Sequence, residues 1–434
     1  MRVIRDLAVR RRTAAALLML ALAGAALPAA AQDKPTNLNI ISHAVHQRVS
    51  TGSAGDITRA WQERNGAKLT WLTFDIQPLF DRLVREASLK ESTIDVVFVL
   101  NTQLSPNVVK LLEPLDAFQK SAPVEDLGDI FKGMTDATTI GGSMYAVPFR
   151  QTPSGLHYNA QYFAERGVTK VPETMEELIE TAKKLTHTRA DGTKVHGLVF
   201  TGNSYANIID FARSWNGDFI TTDYRVAANE PAMVRAVTEI RDLYKAGVLP
   251  TNFSLIKSDD VDTWMQSGRA AMTISTVSKT KNYNDPKNSK FPGQMKVVNL
   301  PSSASIKDRF PVAPAKVEFW SIGILKNSKN KAAAWSLIRE MTSRESTLVA
   351  ALNGNGPVRS STYDEARYKS TLPWAEVEKR MLTVARVPLP PFDGVAKAGD
   401  LFLEGQQAVM LGVKSPQAAM DEVAAKVRPL LPAK

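Results

Sequence analysis

The chain of 434 residues contains no cysteine. This absence excludes a disulfide scaffold, a cysteine-ligated metal site, a thiol nucleophile and attachment of a lipid through cysteine. Histidine is also scarce, with five residues in all, which disfavours a metal centre built from several imidazoles. Glycine and proline occur 24 times each, an ordinary number for this length that excludes a collagenous or low-complexity class.

The common sequence signatures of enzymes are missing as well. The chain has no His-Glu-x-x-His zinc motif, no Gly-x-Ser-x-Gly nucleophile motif and no Gly-Lys-Ser/Thr phosphate loop. His43 and His46 have a spacing that a metal could use, but their position after a strand favours polar residues of a loop. We therefore expect no catalysis, no cofactor and no metal. A secreted polysaccharide hydrolase stays open as the alternative of another class, because its two carboxylates need only be close in space.

The first 31 residues predict a cleaved secretory signal peptide. Five arginines precede an apolar run of 14 residues, Ala14 to Leu27, and Ala29-Ala30-Ala31 supplies the small residues of a cleavage site. The run is too short to span a bilayer, which needs about 20 residues. We expect cleavage after Ala31, with the general secretory route favoured over twin-arginine export. The mature protein is predicted to be soluble, periplasmic and free of a lipid anchor, with full secretion as the alternative.

The charge of the chain carries little information about partners. The formal net charge is +10, and it falls to +6 without the five arginines and one aspartate of residues 1–31. Acidic and basic residues are interspersed in the remainder. Binding of nucleic acid is therefore not supported.

The first hundred residues alternate between strand and helix patterns. Strands are predicted over Asn37–Ile41, Leu69–Phe74 and Ile94–Leu100, with a helix over Ser53–Asn65 and another marked by Leu79. The last of these strands is a nearly continuous apolar run, typical of a strand that is buried on both faces of a parallel sheet. The order predicts a doubly wound α/β domain.

Ligands of such sheets bind beyond the carboxyl ends of the strands. The loops expected to contribute to a site are therefore 42–52, 75–78 and 101–105.

A second α/β domain is predicted from about Gly155 onwards. The helix over Pro172–Leu185 is well marked, because Thr174 and Glu177 have the spacing of a capping box. A strand is predicted over Val195–Phe200 and another over Phe319–Leu325. Late in the chain, residues 330–342 have the periodicity of an amphipathic helix.

The seven tryptophans divide into two groups. Trp335 lies in register with Ile338 and Met341 on an apolar helix face, which predicts a core position. Trp215 and Trp320 lie at the ends of predicted elements, and Trp320 is expected at the edge of a sheet. Aromatic faces pack on the apolar faces of sugar rings, so we consider both for contact with a ligand.

Several segments resemble the family 1 extracellular solute-binding proteins of ABC importers. The resemblance covers nearly all of the predicted mature chain and is most specific at Pro172–Leu178 together with the flanking segments Phe163–Val168 and Ala182–Leu185. The other segments that carry it, in chain order, are Asp95–Val99, Tyr145–Phe149, Leu156–Asn159, Gly268–Ile274, Ile322–Ser328 and Ala332–Ile338.

The resemblance implies a type II periplasmic-binding-protein fold with two α/β lobes joined by a hinge. The first lobe would comprise residues 33–147 and 309–356, and the second residues 148–308 and 357–434. A carbohydrate or polyol would bind in the cleft and close the lobes, and a membrane permease would receive it from the monomeric protein. The protein itself would catalyse nothing.

The resemblance also implies ten candidate residues for binding the ligand. They lie in segments that line the cleft in this family, and they are His46, Asn101, Gln103, Arg150, Tyr205, Trp215, Ser275, Trp320, Phe392 and Asp393. Arg150 and the positive net charge leave a phosphorylated or acidic small solute open as the alternative ligand.

Overall fold

A computed structural model describes residues 37–432 of the chain. The predicted signal peptide, residues 1–31, lies outside the described residues. The strands, numbered in chain order, are β1 (Leu38–Ser42), β2 (Thr51–Gly52), β3 (Gly55–Asp56), β4 (Leu69–Thr73), β5 (Val96–Leu100), β6 (Thr139–Ile140), β7 (Ser143–Met144), β8 (Ala146–Asn159), β9 (His187–Thr188), β10 (Lys194–Val195), β11 (Met272–Thr276), β12 (Met295–Val298) and β13 (Val317–Ile324).

None of the helices within residues 37–432 is both long enough and apolar enough to cross a membrane. They are α1 (Ala44–Ser50), α2 (Arg59–Asn65), α3 (Ile76–Ala87), α4 (Pro106–Val109), α5 (Asp116–Ser121), α6 (Lys132–Ala137), α7 (Ala160–Glu165), α8 (Met175–Leu185), α9 (Tyr205–Arg213), α10 (Pro231–Lys245), α11 (Ser258–Ser267), α12 (Lys279–Tyr283), α13 (Lys331–Met341), α14 (Arg344–Leu352), α15 (Ala366–Thr371), α16 (Ala375–Leu382), α17 (Val395–Met410) and α18 (Pro416–Val427).

One seven-stranded sheet runs through the molecule. Its order is β11-β8-β13-β5-β1-β4, and β12 also pairs with β8. Strand β1 is parallel to β4 and to β5, which confirms the predicted alternation of strand and helix in the first hundred residues. Strand β13 is antiparallel to both of its neighbours, β5 and β8. The strand that comes last in the sequence, β13, therefore lies inside the sheet.

Strand β8 connects the two halves of the molecule. Its 14 residues pair with β13 at the amino-terminal end and with β11 and β12 at the carboxyl-terminal end. The register shifts where Trp320 faces Arg150 and Ser321 faces Pro148, which leaves Phe149 as an extra residue. Such a bulge bends a strand and redirects its side chains. Here the bend lies where the chain crosses between the two hydrophobic cores.

The hydrophobic residues form two large cores. The first contains the apolar faces of β1, β5 and β13, and the second contains α8 to α10, α17 and α18. Tyr363 and Tyr368 are buried in the first core although they follow residue 356. We therefore propose that the first lobe extends to about Leu382 instead of residue 356, while the residue bounds of the two lobes stay a prediction.

The prediction of a loop over residues 42–52 is wrong, because this segment contains α1. The His43 side chain caps the helix by accepting a hydrogen bond from the backbone N–H of Val45 at 3.3 Å. The helix predicted over residues 53–65 is shorter than expected, because it begins only at Arg59. The short hairpin of β2 and β3 precedes it, with Gly55 at a φ of 150° that other residues rarely adopt.

The strand predicted over Val195–Phe200 is also largely wrong. Only Lys194–Val195 form a ladder, and Val199 makes an isolated bridge to Thr273. The backbone of Gly197 lies against α8, where an added Cβ would be 1.7 Å from the Ala182 oxygen. By contrast, the buried strand β5, the capping box of α8 and the amphipathic helix α13 are confirmed.

Candidate functional site

A groove of about 870 Å³ lies beyond the carboxyl end of β5, between the two halves of the molecule. We call it the interlobe groove. One wall consists of residues from α3, the β5–α4 loop and α4, and the other of residues at the start of α9 and of α17. Four of the ten predicted residues line it together, although the chain separates them widely, namely Gln103, Tyr205, Phe392 and Asp393.

Asp393 connects the two walls of the groove. One of its carboxylate oxygens accepts a hydrogen bond from the Ser105 hydroxyl at 2.7 Å, and the other accepts one from the Asn107 amide at 2.6 Å. Ser105 is itself fixed as the N-cap of α4, where it accepts from the Val108 N–H. The contact therefore joins the first half of the chain to the segment before α17.

Tyr205 lies at the first turn of α9 and is held against α17. A Cβ added to Gly399 would come within 2.5 Å of the Tyr205 ring, so only glycine permits this approach. Burial and the negative charge of Glu318 raise the pKa of Tyr205 to about 12. The hydroxyl is thus a neutral donor at neutral pH.

A buried group of charges lies between Tyr205 and the crossing strands. The Lys316 ammonium pairs with a Glu318 carboxylate oxygen at 3.0 Å, and the Lys316 backbone N–H donates to Asp210 at 2.5 Å. Burial raises the pKa of Asp210 to about 6 despite the nearby ammonium. These groups anchor the start of β13 to α9.

Trp320 does not lie at a sheet edge, so that expectation is wrong. It sits within β13, which β5 and β8 flank on both sides, and its side chain is 7% exposed. Its ring packs edge-on against His46 with 4.7 Å between centroids. The indole is largely enclosed, because the two histidine rings cover it and side chains of the flanking strands lie beside it. Contact of its remaining surface with a ligand stays a prediction.

His46 is a buried helix residue. Its ring stacks on Phe98 at 4.4 Å, and its Nδ1 accepts from the His43 backbone N–H at 3.3 Å. Burial, and then the charge of Arg150, hold the pKa of His46 well below its usual value. The imidazole is therefore neutral with its proton on Nε2, and this buried Nε2 has no partner within residues 37–432.

Arg150 occupies the strand position opposite Trp320. Its Nε is buried without a hydrogen-bond partner in the described part of the chain. Burial and then the charge of Arg48 lower the pKa of Arg150, while the carboxyl of Glu378 raises it. The guanidinium nevertheless remains charged, as arginine does in proteins.

Three of the predicted ligand-binding residues have side chains that contact other residues of the protein. Asn101 is buried, and its side-chain oxygen accepts from the Phe319 N–H at 3.0 Å. Trp215 is half-buried and packs against Phe211 with 5.5 Å between ring centroids. The hydroxyl of Ser275 lies 3.1 Å from His157 Nδ1 and 3.0 Å from the hydroxyl of a buried tyrosine. Their contact with a ligand stays a prediction.

The network around Ser275 makes stability depend on pH. Burial lowers the pKa of His157 to about 3, whereas an unfolded histidine has a pKa of about 6.5. Below pH 6.5 the unfolded state therefore binds a proton that the folded state excludes, and stability is lost as the pH falls toward 3.

We expect His157→Gln to remove up to about 1.4 kcal/mol per pH unit from this dependence between pH 6 and 4. Urea melts of both proteins at several pH values measure the two slopes. The slope is the diagnostic quantity, because the substitution also changes stability at every pH. Equal slopes in the two proteins would show that His157 titrates normally in the folded state.

The ten predicted binding residues leave out four polar residues that shape this region, although the loop predicted over residues 101–105 includes the first of them. They are Ser105, Asn107, Lys316 and Glu318. The Ser105-Pro106 pair was an available signal, since serine at the N-cap followed by proline marks a helix start. Nothing in the sequence pairs Asn107 with Asp393, because 286 positions separate them. Among the described residues, no group of three histidine, aspartate or glutamate side chains is placed to hold a metal ion.

The sequence profile described as bacterial extracellular solute-binding protein matches residues 51–347. A probable ABC transporter-binding protein of Deinococcus radiodurans is 22% identical over 324 residues, which are 73% of this chain and 74% of that protein. The erythritol/L-threitol-binding protein of Mycolicibacterium smegmatis is 27% identical over 261 residues, 55% of this chain and 52% of that one.

Solved structures share the fold of this chain. A maltose-bound protein of T. maritima superposes with a TM-score of 0.73 at 22% identity, covering 91% of this chain and 100% of that one. A solute-binding protein of Agrobacterium radiobacter in complex with ribitol also gives a TM-score of 0.73, at 21% identity and with 91% and 98% of the chains covered. These likenesses establish the predicted two-lobed α/β architecture.

Proposed function

The chain belongs to the family of bacterial extracellular solute-binding proteins, and from this premise we propose that it captures a carbohydrate in the interlobe groove. The ligand would be a sugar, an oligosaccharide or a polyol. The observation that carries the proposal is the groove itself, since residues of both halves supply its walls. Family and fold are those of binding proteins instead of enzymes, so the role is capture without conversion.

The chemistry of the groove suits a polyhydroxylated molecule. The Gln103 amide, the neutral Tyr205 hydroxyl and the Asp393 carboxylate offer donors and acceptors for hydroxyl groups. Phe80 and Phe392 offer apolar surface for the C–H faces of the ligand. The relatives named for erythritol and L-threitol and the structure with ribitol support a ligand of this class.

Closure of the lobes would follow capture. The crossing strands β8 and β13 are the shared connection between the cores, and the bulge at Phe149 is a natural place for bending. The contact of Asp393 with Ser105 and Asn107 spans the groove and would hold a closed arrangement. The closed form would then deliver the ligand to the permease of an ABC importer.

Location and partners follow from the family. Extracellular solute-binding proteins work outside the cytoplasm, and we propose the periplasm as the compartment of this one. The permease subunits would be its protein partner, and the protein would act as a monomer. Detection of the mature chain in a periplasmic fraction, with an amino terminus at Gln32, tests this part.

We expect one carbohydrate to stabilise the protein by mass action. At a ligand concentration of 100 times Kd, the free energy of unfolding should rise by about 2.7 kcal/mol. A thermal-shift screen of polyols, aldoses, ketoses and oligosaccharides identifies the ligand, and calorimetric titration gives its Kd. Gln103→Ala should raise that Kd about tenfold or more, whereas Gln407→Ala, at an exposed position of α17, should leave it unchanged.

Two results would contradict the proposed function. Steady release of product from an oligosaccharide would favour the secreted hydrolase. Absence of binding across the whole screen by a folded protein would remove the carbohydrate class.

A further inference from the structure

A cluster of cationic and donor groups lies where the two lobes join. It consists of Arg150, His46 and His43, and we call it the crossover cluster. The three residues converge on one indole, because Arg150 faces Trp320 across the strands and both histidine rings contact it, at 4.7 and 6.5 Å. The cluster therefore lies around the strands that cross between the lobes.

Two strong donors in this cluster lack a partner. The Arg150 side chain makes no hydrogen bond and no ion pair within residues 37–432, and its Nε is buried. The protonated Nε2 of His46, a residue with 0% exposure, also has no partner there. Buried donors are rarely left unpaired, since an unmade hydrogen bond carries the full cost of desolvation.

The nearby carboxylates do not neutralise Arg150. Glu378 attracts it electrostatically but accepts its hydrogen bonds from Gln151 and Tyr368. The carboxylate of Asp75 is 94% exposed and lies 4.0 Å from His43 Nε2. Arg48 adds a further positive charge. The balance of charge around the guanidinium is therefore positive.

Glu318 relates the crossover cluster to the interlobe groove, whose lining does not include the cluster. Glu318 lies two residues before Trp320, on the same face of β13, and its charge acts on Tyr205 in the groove wall. A ligand that contacts Tyr205 could thus extend along the crossing strands toward Arg150. The end of the ligand that reaches the crossover cluster would meet a guanidinium and an imidazole N–H.

We infer that the solute is an acidic carbohydrate whose anionic group binds Arg150 and His46. This inference rests on the proposed function and names its substrate class. A guanidinium presents N–H donors in a planar fork that matches both carboxylate and phosphate. The chemistry shared by the two groups is a terminal oxyanion, carried either by a sugar acid or by a sugar phosphate.

Matched pairs of ligands test the inference by calorimetric titration. D-Gluconate and sorbitol share a carbon chain and differ at the terminal carboxylate, as D-glucuronate and D-glucose do. D-Ribonate with ribitol adds a shorter pair, and D-glucose 6-phosphate and sorbitol 6-phosphate form the phosphate arm. In at least one pair the acid should bind at least tenfold more tightly than its neutral partner. A preference for a sugar acid would identify a carboxylate as the bound group, and a preference for a sugar phosphate would identify a phosphate.

Variants then assign the preference to the crossover cluster. Arg150→Met keeps the aliphatic stem but removes the donors, and it should weaken binding of the acid about 100-fold with little effect on the neutral partner. Arg150→Lys retains the charge without the fork and should lose an intermediate factor. Arg59→Ala, at an exposed position of α2, is the control that should change nothing. Thermal melts without ligand confirm that every variant is folded.

The outcomes separate the two proposals. Equal or tighter binding of the neutral partners, or an acid preference that survives in Arg150→Met, would overturn the inference and leave the carbohydrate function intact. Failure of every neutral and acidic ligand to bind the folded wild-type protein would overturn both.

Discussion

Trp335→Ala is expected to lower the free energy of unfolding by about 3–5 kcal/mol. Trp335 lies in α13 with 3% of its surface exposed, packs near Phe118 and donates its indole N–H to the Ala122 carbonyl at 2.8 Å. The substitution removes a large apolar side chain from the first core and leaves that carbonyl without its donor. Denaturant melts of the unliganded protein measure the loss.

Two further variants separate the contributions to this loss. Trp335→Phe keeps most of the apolar volume but removes the donor, so it should cost clearly less than alanine. Trp71→Ala removes the same type of side chain from a half-buried position of β4 and should also cost less. A loss at Trp335 no greater than that at Trp71 would show that α13 does not pack as described.

Arg359→Ala should lower the free energy of unfolding by a similar amount, about 3–5 kcal/mol, because it breaks a buried charged network. Arg359 is 0% exposed and donates to the carbonyls of Thr342, Asp126 and Glu125 at 2.6 to 3.1 Å. Its guanidinium is also 3.5 Å from a carboxylate oxygen of Asp129. The carbonyl of the buried Thr342 would be left without its donor, and the guanidinium contacts of the Glu125–Asp129 segment would be lost.

Arg344 provides a matched control on the same acidic segment. It pairs with Asp126 and lies 3.9 Å from Asp129, but its side chain is 50% exposed. Exposed ion pairs contribute about 0–1 kcal/mol, so Arg344→Ala should have a small effect. Urea melts of both variants give the two losses, and equal values would refute the distinction between buried and exposed pairing.

Local signals predicted the elements that local interactions determine. The capping box of Thr174 and Glu177 marked the start of α8, and the apolar periodicity of residues 330–342 placed Trp335 in a core. Helix α1 was missed because its cap is the unusual His43, and its seven residues give the periodicity little length. Residues close together in the sequence were sufficient to predict the start of α8 and the core position of Trp335. They gave too weak a signal to predict α1.

The candidate site depends on contacts that no local pattern encodes. The sequence indicated the β5–α4 loop as part of a site, and Gln103 does line the interlobe groove. The enclosure of Trp320 could not be read from β13 alone, since it depends on β5 and β8 on either side. Ser275 likewise looked available, yet its hydroxyl lies among partners contributed by β8 and α12.

The interior position of β13 has a consequence for synthesis. Its neighbours β5 and β8 precede it by well over a hundred residues, so the sheet of the first lobe stays open between them while the intervening chain is made. From Asn159, where β8 ends, to Val317 the ribosome needs roughly 8–30 s at about 5–20 residues per second. Throughout that interval two unpaired strand edges remain available, so we expect the nascent chain to bind chaperones and to acquire a rigid fold late.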